Sequence, residues 1–248
     1  MSRFAVIGDV HANMEGLERV LARVEEVGVD AILLVGDLGS HHLGMARRRT
    51  PERDALYLAS VEAVLERCGR VGVPVRYVPG NHDLPDLSLP GNLDGVCETL
   101  AGWRVVGFGG AGPARFGFCY EWTDEQARAR LTDLPAFDLL LAHCPPARTP
   151  LDWVPRGLHV GSEALRELAE RSRGVMVCGH IHESPGAAQL GDCLVLNAGG
   201  LGEPFGKAQV AFVEGPDRVI HEDLEAGVRR VWGPQGQAET STLPSAGA

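Results

Sequence analysis

No pair of cysteines stands at C-x-x-C spacing in this chain; Cys68, Cys97, Cys119, Cys144, Cys178 and Cys193 are scattered through its 248 residues. That argues against a zinc knuckle, a thioredoxin-type redox site and a disulfide framework, and predicts reduced, buried thiols in a cytoplasmic protein. No apolar run approaches the roughly 18 residues of a membrane span, so no membrane association is expected. Met1-Ser2-Arg3-Phe4 leads straight into a short strand-like run, so no secretory signal is expected. Clustered basic charge is scarce as well: the formal net charge is -10, which disfavours a nucleic-acid polymer and leaves a small phosphate ester, a nucleotide among the candidates, as the expected partner. One basic run exists, Arg47-Arg48-Arg49, which suits either a solvated loop or a phosphate-recruiting one.

What is present is a repeated pattern of apolar runs, each giving way to a polar motif. Phe4 to Gly8 reads as a strand, followed by a helix capped by Asn13, with Met14, Leu17, Val20, Leu21, Val24 and Val27 at helical spacing and Gly28 as its stop. Ala31 to Val35 has no polar alternation and so reads as a strand buried on both faces. A helix from about Pro51 to Cys68 and a strand from Val75 to Val78 follow. The second half repeats the scheme with strands at Phe137 to Ala142 and Gly174 to Cys178, a capping box at Thr123 and Gln126, and a helix capped by Ser162. The shorter runs 193–196, 208–213 and 218–221 suggest a mostly antiparallel C-terminal sheet packed on the first. One domain over 1–232 is expected, with a disordered Gly/Pro/Ser-rich tail over 233–248.

The motifs at the strand ends are Gly-Asp9-Val-His11, Gly-Asp37, Gly-Asn81-His82-Asp83, His143 and Gly-His180-Ile-His182. Open α/β sheets bind ligands beyond the carboxyl ends of their strands, so five motifs at five strand ends converge on one crevice. Asp9, His11, Asp37, Asn81, His143, His180 and His182 offer oxygen and nitrogen donors suited to Mn, Fe, Zn, Ni or Co, and together they read as a two-metal hydrolytic centre. A structural zinc site would favour a closed Cys/His tetrahedron instead. Of the other histidines, His159 and His221 are expected to be surface or structural residues, while His41 and His42, in the loop after Asp37, are candidate substrate-binding residues. The pocket walls are expected from 41–49, 83–95 and 109–122.

This ordered series resembles the calcineurin-like metallophosphoesterase superfamily, in particular its small phosphodiesterase-like branch, and the matched motifs run from Asp9 to His182. The resemblance implies a four-layer α/β/β/α sandwich, two mixed β-sheets flanked by helices, with two divalent metal ions per chain, manganese among the options. It implies that Asp9, His11 and His182 hold one ion, Asn81, His143 and His180 the other, and that Asp37 bridges them. The sequence departs from the serine/threonine phosphatases of that fold. Their Gly-Asp-x-Val-Asp-Arg-Gly motif is replaced by Gly36-Asp37-Leu38-Gly39-Ser40, and Asp83 stands where they carry Glu.

The expected activity is phosphodiester hydrolysis by a hydroxide bridging the two metals. His82, with a reference pKa of about 6.5, is expected to protonate the departing alkoxide, and Asp83 to support His82 or a neighbouring loop. A phosphomonoesterase or dinucleoside-polyphosphate hydrolase using the same centre is the alternative. A non-catalytic interaction scaffold is a third reading, which the complete donor set and His82 disfavour. The motifs select no particular substrate, ion or oligomeric state.

Overall fold

The computed structural model describes residues 2–40, 49–155, 157–202, 206–233 and 238–243. The first β-α-β unit is β1 (Phe4–Ile7), α1 (Met14–Val27) and β2 (Ala31–Leu34), with β1 and β2 parallel. Asn13 caps α1 by accepting the Gly16 N–H on its side-chain oxygen, and the Gly28 N–H closes the helix on the Val24 carbonyl. Helix α2 (Pro51–Gly69), with Thr50 as its cap, leads to β3 (Val75–Tyr77), parallel to β2.

In the second half come β4 (Cys97–Leu100), β5 (Trp103–Phe108), α3 (Asp124–Thr132) and β6 (Leu139–Ala142). A hairpin of β7 (Trp153–Val154) and β8 (Leu158–His159) follows, then α4 (Glu163–Arg171), β9 (Arg173–Cys178), β10 (Gly186–Leu190) and β11 (Asp192–Asn197). The chain then forms β12 (Gln209–Val213), β13 (Val219–Asp223), β14 (Val228–Trp232) and β15 (Ala238–Thr242).

Two mixed sheets result, ordered β15-β14-β13-β12-β1-β2-β3 and β10-β11-β9-β6-β5-β4. The apolar runs lack alternation because both faces of each sheet are covered. In β1, Ala5 and Ile7 face a core shared with Leu17, Leu21 and Val61 of the first two helices, whereas Phe4 and Val6 face Leu139, Leu141, Val175 and Val177 of the other sheet. In β6, Leu140 and Ala142 turn the opposite way, toward Leu131, Leu165 and Ala169 of α3 and α4. Three apolar layers therefore separate four structural layers, the α/β/β/α sandwich. Among the described residues no helix is long and apolar enough to cross a membrane.

Two expectations need correction. The C-terminal strands form no separate sheet: β12 to β15 extend the first sheet through β1, while β10 and β11 complete the second beside β9. Within the stretch expected to be disordered, Ala238–Thr242 pairs with β14, from Val228↔Thr242 to Trp232↔Ala238. An exposed edge strand is held by its backbone ladder and needs no apolar pattern, so composition did not reveal it. Residues 234–237 and 244–248 lie outside the described residues.

His221 lies on β13 and is fully buried, flanked across the ladder by Ala211 and Arg230. Burial, reinforced by Arg230 and opposed by Asp223, pushes its pKa down from 6.5 to about 4. The unfolded chain therefore takes up a proton that folded His221 refuses until about pH 4. Stability is full above pH 6.5 and is lost as pH falls through this window, by about 3 kcal/mol in all. Calorimetric Tm values of His221→Leu are expected to fall less steeply between pH 7 and 4 than those of the wild type. An identical slope would assign the acid sensitivity to other groups.

Candidate metal centre

All five motifs stand at the carboxyl ends of parallel strands, β1, β2 and β3 in one sheet and β6 and β9 in the other. Their loops turn sharply: of the seven non-glycine residues with positive φ among the described residues, four are Asp9, His11, Asp37 and His180. Left-handed backbone at such side chains costs about 1–3 kcal/mol per residue and persists only where the surroundings enforce it. Here the loops are stitched together by backbone hydrogen bonds. His11 N–H and Ala12 N–H donate to the carbonyls of Asp37 and Leu38, Gly179 N–H to that of His143, and Gly202 N–H to that of Asp9. Close approach demands glycine at two places: a Cβ on Gly80 would stand 2.1 Å from Asp37 Oδ1, and one on Gly202 2.3 Å from His11 Cβ.

The seven candidate donors come together. Asp9, His11 and His182 present ligand atoms within 4.8 Å of one another, as do Asp9, Asp37 and His143. Asp37 Oδ2 lies 3.7 Å from both His11 Nε2 and His143 Nε2, a position between the two groups. His182 Nε2 is 3.1 Å from Asp9 Oδ1, and the His180 ring stands 5.0 Å from that of His143. His143 Nδ1 lies 2.7 Å from the Val35 carbonyl, and since a carbonyl only accepts, that nitrogen carries the proton. The remaining lone pair, on Nε2, faces Asn81 Oδ1 at 2.8 Å. Lone pairs converging in this way fit a bound cation, and the Nδ1 contact to Val35 fixes the ring orientation such a ligand requires.

The electrostatics follow from burial. Burial pushes Asp37 up to about 7, with Asp9 and Asp83 adding to the rise against the opposing pull of His82. Burial also acts on Asp9, but His182, His143 and His11 outweigh it and hold that carboxyl well below the usual range. His143 and His180 are pushed down, chiefly by burial, which favours the neutral imidazole, the form able to ligate a metal.

His82 sits at the floor of a cleft of about 410 Å³ that is also lined by His11, Asp37, Asn81, His180 and His182. Its Nε2 is 4.0 Å from Asp37 Oδ2, its backbone N–H donates to Asp37 Oδ1 at 2.8 Å, and the Phe118 ring packs against its imidazole with centroids 4.1 Å apart and planes tilted by 39°. Asp83 is fully buried and braces the loops: its carboxylate accepts from Gly80 N–H at 2.6 Å, Leu38 N–H at 3.1 Å and the Tyr57 hydroxyl. His41, His42, Arg47 and Arg48 lie outside the described residues; Arg49 pairs with Asp54 at 2.8 Å.

Two supporting residues escaped the sequence reading. Tyr57 carried only a helix-periodic signal. Asn197, fully buried, donates to the carbonyls of Ile181 and Leu151 and so fixes the peptide between His180 and His182. Its signal was the Asn197-Ala-Gly-Gly-Leu-Gly segment at a strand end, whose glycines now lie against His182 and His11.

The family model for the calcineurin-like phosphoesterase superfamily domain matches residues 2–215. MJ1162, an uncharacterized protein of Methanocaldococcus jannaschii, is 30% identical over 133 residues, 48% of this chain and 61% of that protein. The match thus spans about three fifths of the relative's length. One crystal structure superposes with a TM-score of 0.69 at 17% identity, covering 98% of this chain and 99% of that one. The crystal structure of TT1561 of Thermus thermophilus does so with a TM-score of 0.57 at 19% identity and the same coverages. At these identities the superpositions show a shared fold.

Asp83→Ala strands the Gly80 and Leu38 N–H groups and the Tyr57 hydroxyl in a buried setting. Its unfolding free energy is expected to fall by about 3 kcal/mol or more, and that of Tyr57→Phe by about 1 kcal/mol, in denaturant titrations of the metal-free protein. Equal effects would mean that the two N–H bonds contribute nothing beyond the hydroxyl.

Proposed function

The chain belongs to the calcineurin-like phosphoesterase superfamily, and from that premise we propose that it is a divalent-metal-dependent hydrolase of small phosphodiesters. The observation that carries the reading is the convergence of donor atoms on one buried point at the floor of an open cleft. Asp9, His11 and His182 would hold one ion, Asn81, His143 and His180 the other, with Asp37 between them. Two bound cations would neutralise charge on the phosphoryl oxygens and lower the pKa of water, so that a nucleophile exists at neutral pH.

The protein's own groups do the rest. Asn81 contributes a neutral oxygen, which limits negative charge in a site that must admit an anion. His82, which faces the cleft with Asp37 near its Nε2 and Phe118 packed against its ring, would protonate the departing alkoxide oxygen. The first-loop and second-loop backbones, joined through His11 and Ala12, keep Asp9 and Asp37 in register. A diester is favoured because no Lys or Arg is among the described residues lining the cleft. A monoester dianion or a polyphosphate brings more charge than a diester, and the cationic side chain of Arg115 lines an adjoining pocket beside Phe116 and His180 and not the cleft itself. The same residue set disfavours a scaffold role, which would need neither a buried donor cluster nor His82 beside it.

Metal-stripped protein resupplied with Mn, Ni or Zn is expected to cleave bis(p-nitrophenyl) phosphate faster than p-nitrophenyl phosphate. His82→Ala is expected to lower kcat by about 10²–10⁴ on a diester with an alkyl leaving group, with metal binding retained. The loss should be smaller for p-nitrophenolate, whose oxygen departs with little need of a proton. Protein that binds metal yet turns over neither ester class would overturn the proposal.

A further inference from the structure

Resting on the hydrolase reading above, we propose that the cleft carries a subsite for a flat, uncharged aromatic group, so that the substrate is a phosphodiester bearing a ring of the nucleoside-base type. Five large apolar side chains are exposed among the described residues: Leu56, Val96, Phe116, Trp153 and Leu158. Two of them, Phe116 at 59% and Leu158 at 56% exposure, line the cleft above the donor cluster, and Trp153 belongs to the same hairpin as Leu158. Apolar surface left open beside a reaction centre is most simply explained by what it binds.

Both walls are built in advance. Phe116 and Phe118 have ring centroids 5.8 Å apart, and Phe118 in turn packs on His82, so a file of rings runs from the rim to the reaction centre. The loop bearing them is pinned: the N–H groups of Phe116 and Gly117 donate to the Glu121 carboxylate, and Tyr120 N–H donates to the Asn81 carbonyl. Val154, Leu158 and Val160 of the β7–β8 hairpin supply aliphatic surface to the same cleft. Their hairpin is anchored by buried Asp152, which accepts from Arg148, Thr149 and Gly161 N–H and meets His159 Nδ1 at 2.7 Å. Rigid walls bind with little ordering cost.

The chemistry of the lining selects the guest. Beyond the donor cluster and His82, the only charged residue among the described residues on it is Glu183, which repels a further phosphate and accepts a hydrogen bond from an amine or hydroxyl. Aromatic faces reward a flat π-system beyond the apolar area it buries, which a saturated group of equal bulk does not obtain.

Calorimetry on the Mn-loaded full chain tests this with three inert monoanions, the monomethyl esters of methyl-, cyclohexylmethyl- and benzylphosphonic acid. The benzyl compound is expected to bind about tenfold more tightly than the methyl one, with the cyclohexylmethyl compound weaker than benzyl. Phe116→Ala is expected to abolish the benzyl preference, and Val96→Ala, an exposed site outside the cleft, to keep it. Equal affinities for benzyl and methyl, a preference for cyclohexylmethyl, or no binding of any of the three would each overturn the subsite. Because the readout is binding, a retained benzyl preference without diester turnover would sink the hydrolase reading alone. Diester turnover without that preference would sink the subsite alone.

Discussion

Everything near the strand ends answers to one constraint: electron pairs from carboxylate, imidazole and amide groups are forced together where water is scarce. Left alone, such a cluster is unfavourable, and the ionisation of its members records the conflict, with burial holding Asp37 near neutrality while the surrounding imidazoles keep Asp9 charged. A cation would resolve it, because each donor would then have a common partner and desolvation would strengthen the attraction. Accepting the crowding costs backbone strain at Asp9, His11, Asp37 and His180, offset by the hydrogen bonds that tie each loop to its neighbour.

The fold makes this crowding possible. Strands covered on both faces are held by three apolar layers, so their ends are fixed without help from the loops, and the loops are released to carry polar groups. Asp83 and Asn197 show how the work is divided. Neither faces the cleft, but each satisfies several buried donors or acceptors of the peptides that carry the facing side chains.

Much of this was legible in the sequence. The apolar runs ending at Gly8, Gly36, His143 and Gly179 announced strands, the one from Ala31 to Val35 as buried on both faces, and the motif order pointed to seven candidate donors gathered in one crevice. Asn13, Thr123 with Gln126, and Ser162 declared their helices through capping chemistry, and all three cap as expected. What escaped was information held only in pairing. Strands such as β4 and β10 mix exposed and buried residues and are defined by their partners, so their patterns look like loops. The allocation of β11 and β12 to different sheets turns on a crossover that no local signal encodes. Asp83 was expected to support His82 or a neighbouring loop; its hydrogen bonds go to Gly80, Leu38 and Tyr57, and the last two are brought near only by the packing of α2 and β2. The expected wall segment 109–122 does contain Phe116 and Phe118, though no local pattern singled out those two.

The candidate donors divide by sheet: Asp9, His11, Asp37 and Asn81 project from one, His143, His180 and His182 from the other. A cation held by both sets would be a rivet through two plates. The layer between the plates is apolar packing, which resists separation but has no directional bonds to resist sliding. Such a rivet would add a shear lock, and its strength would couple directly to stability, since any ion bound only by the assembled plates raises the unfolding free energy with the logarithm of its concentration. Availability of the metal would then set how firmly the two halves of the sandwich are clamped as well as whether the cleft can react.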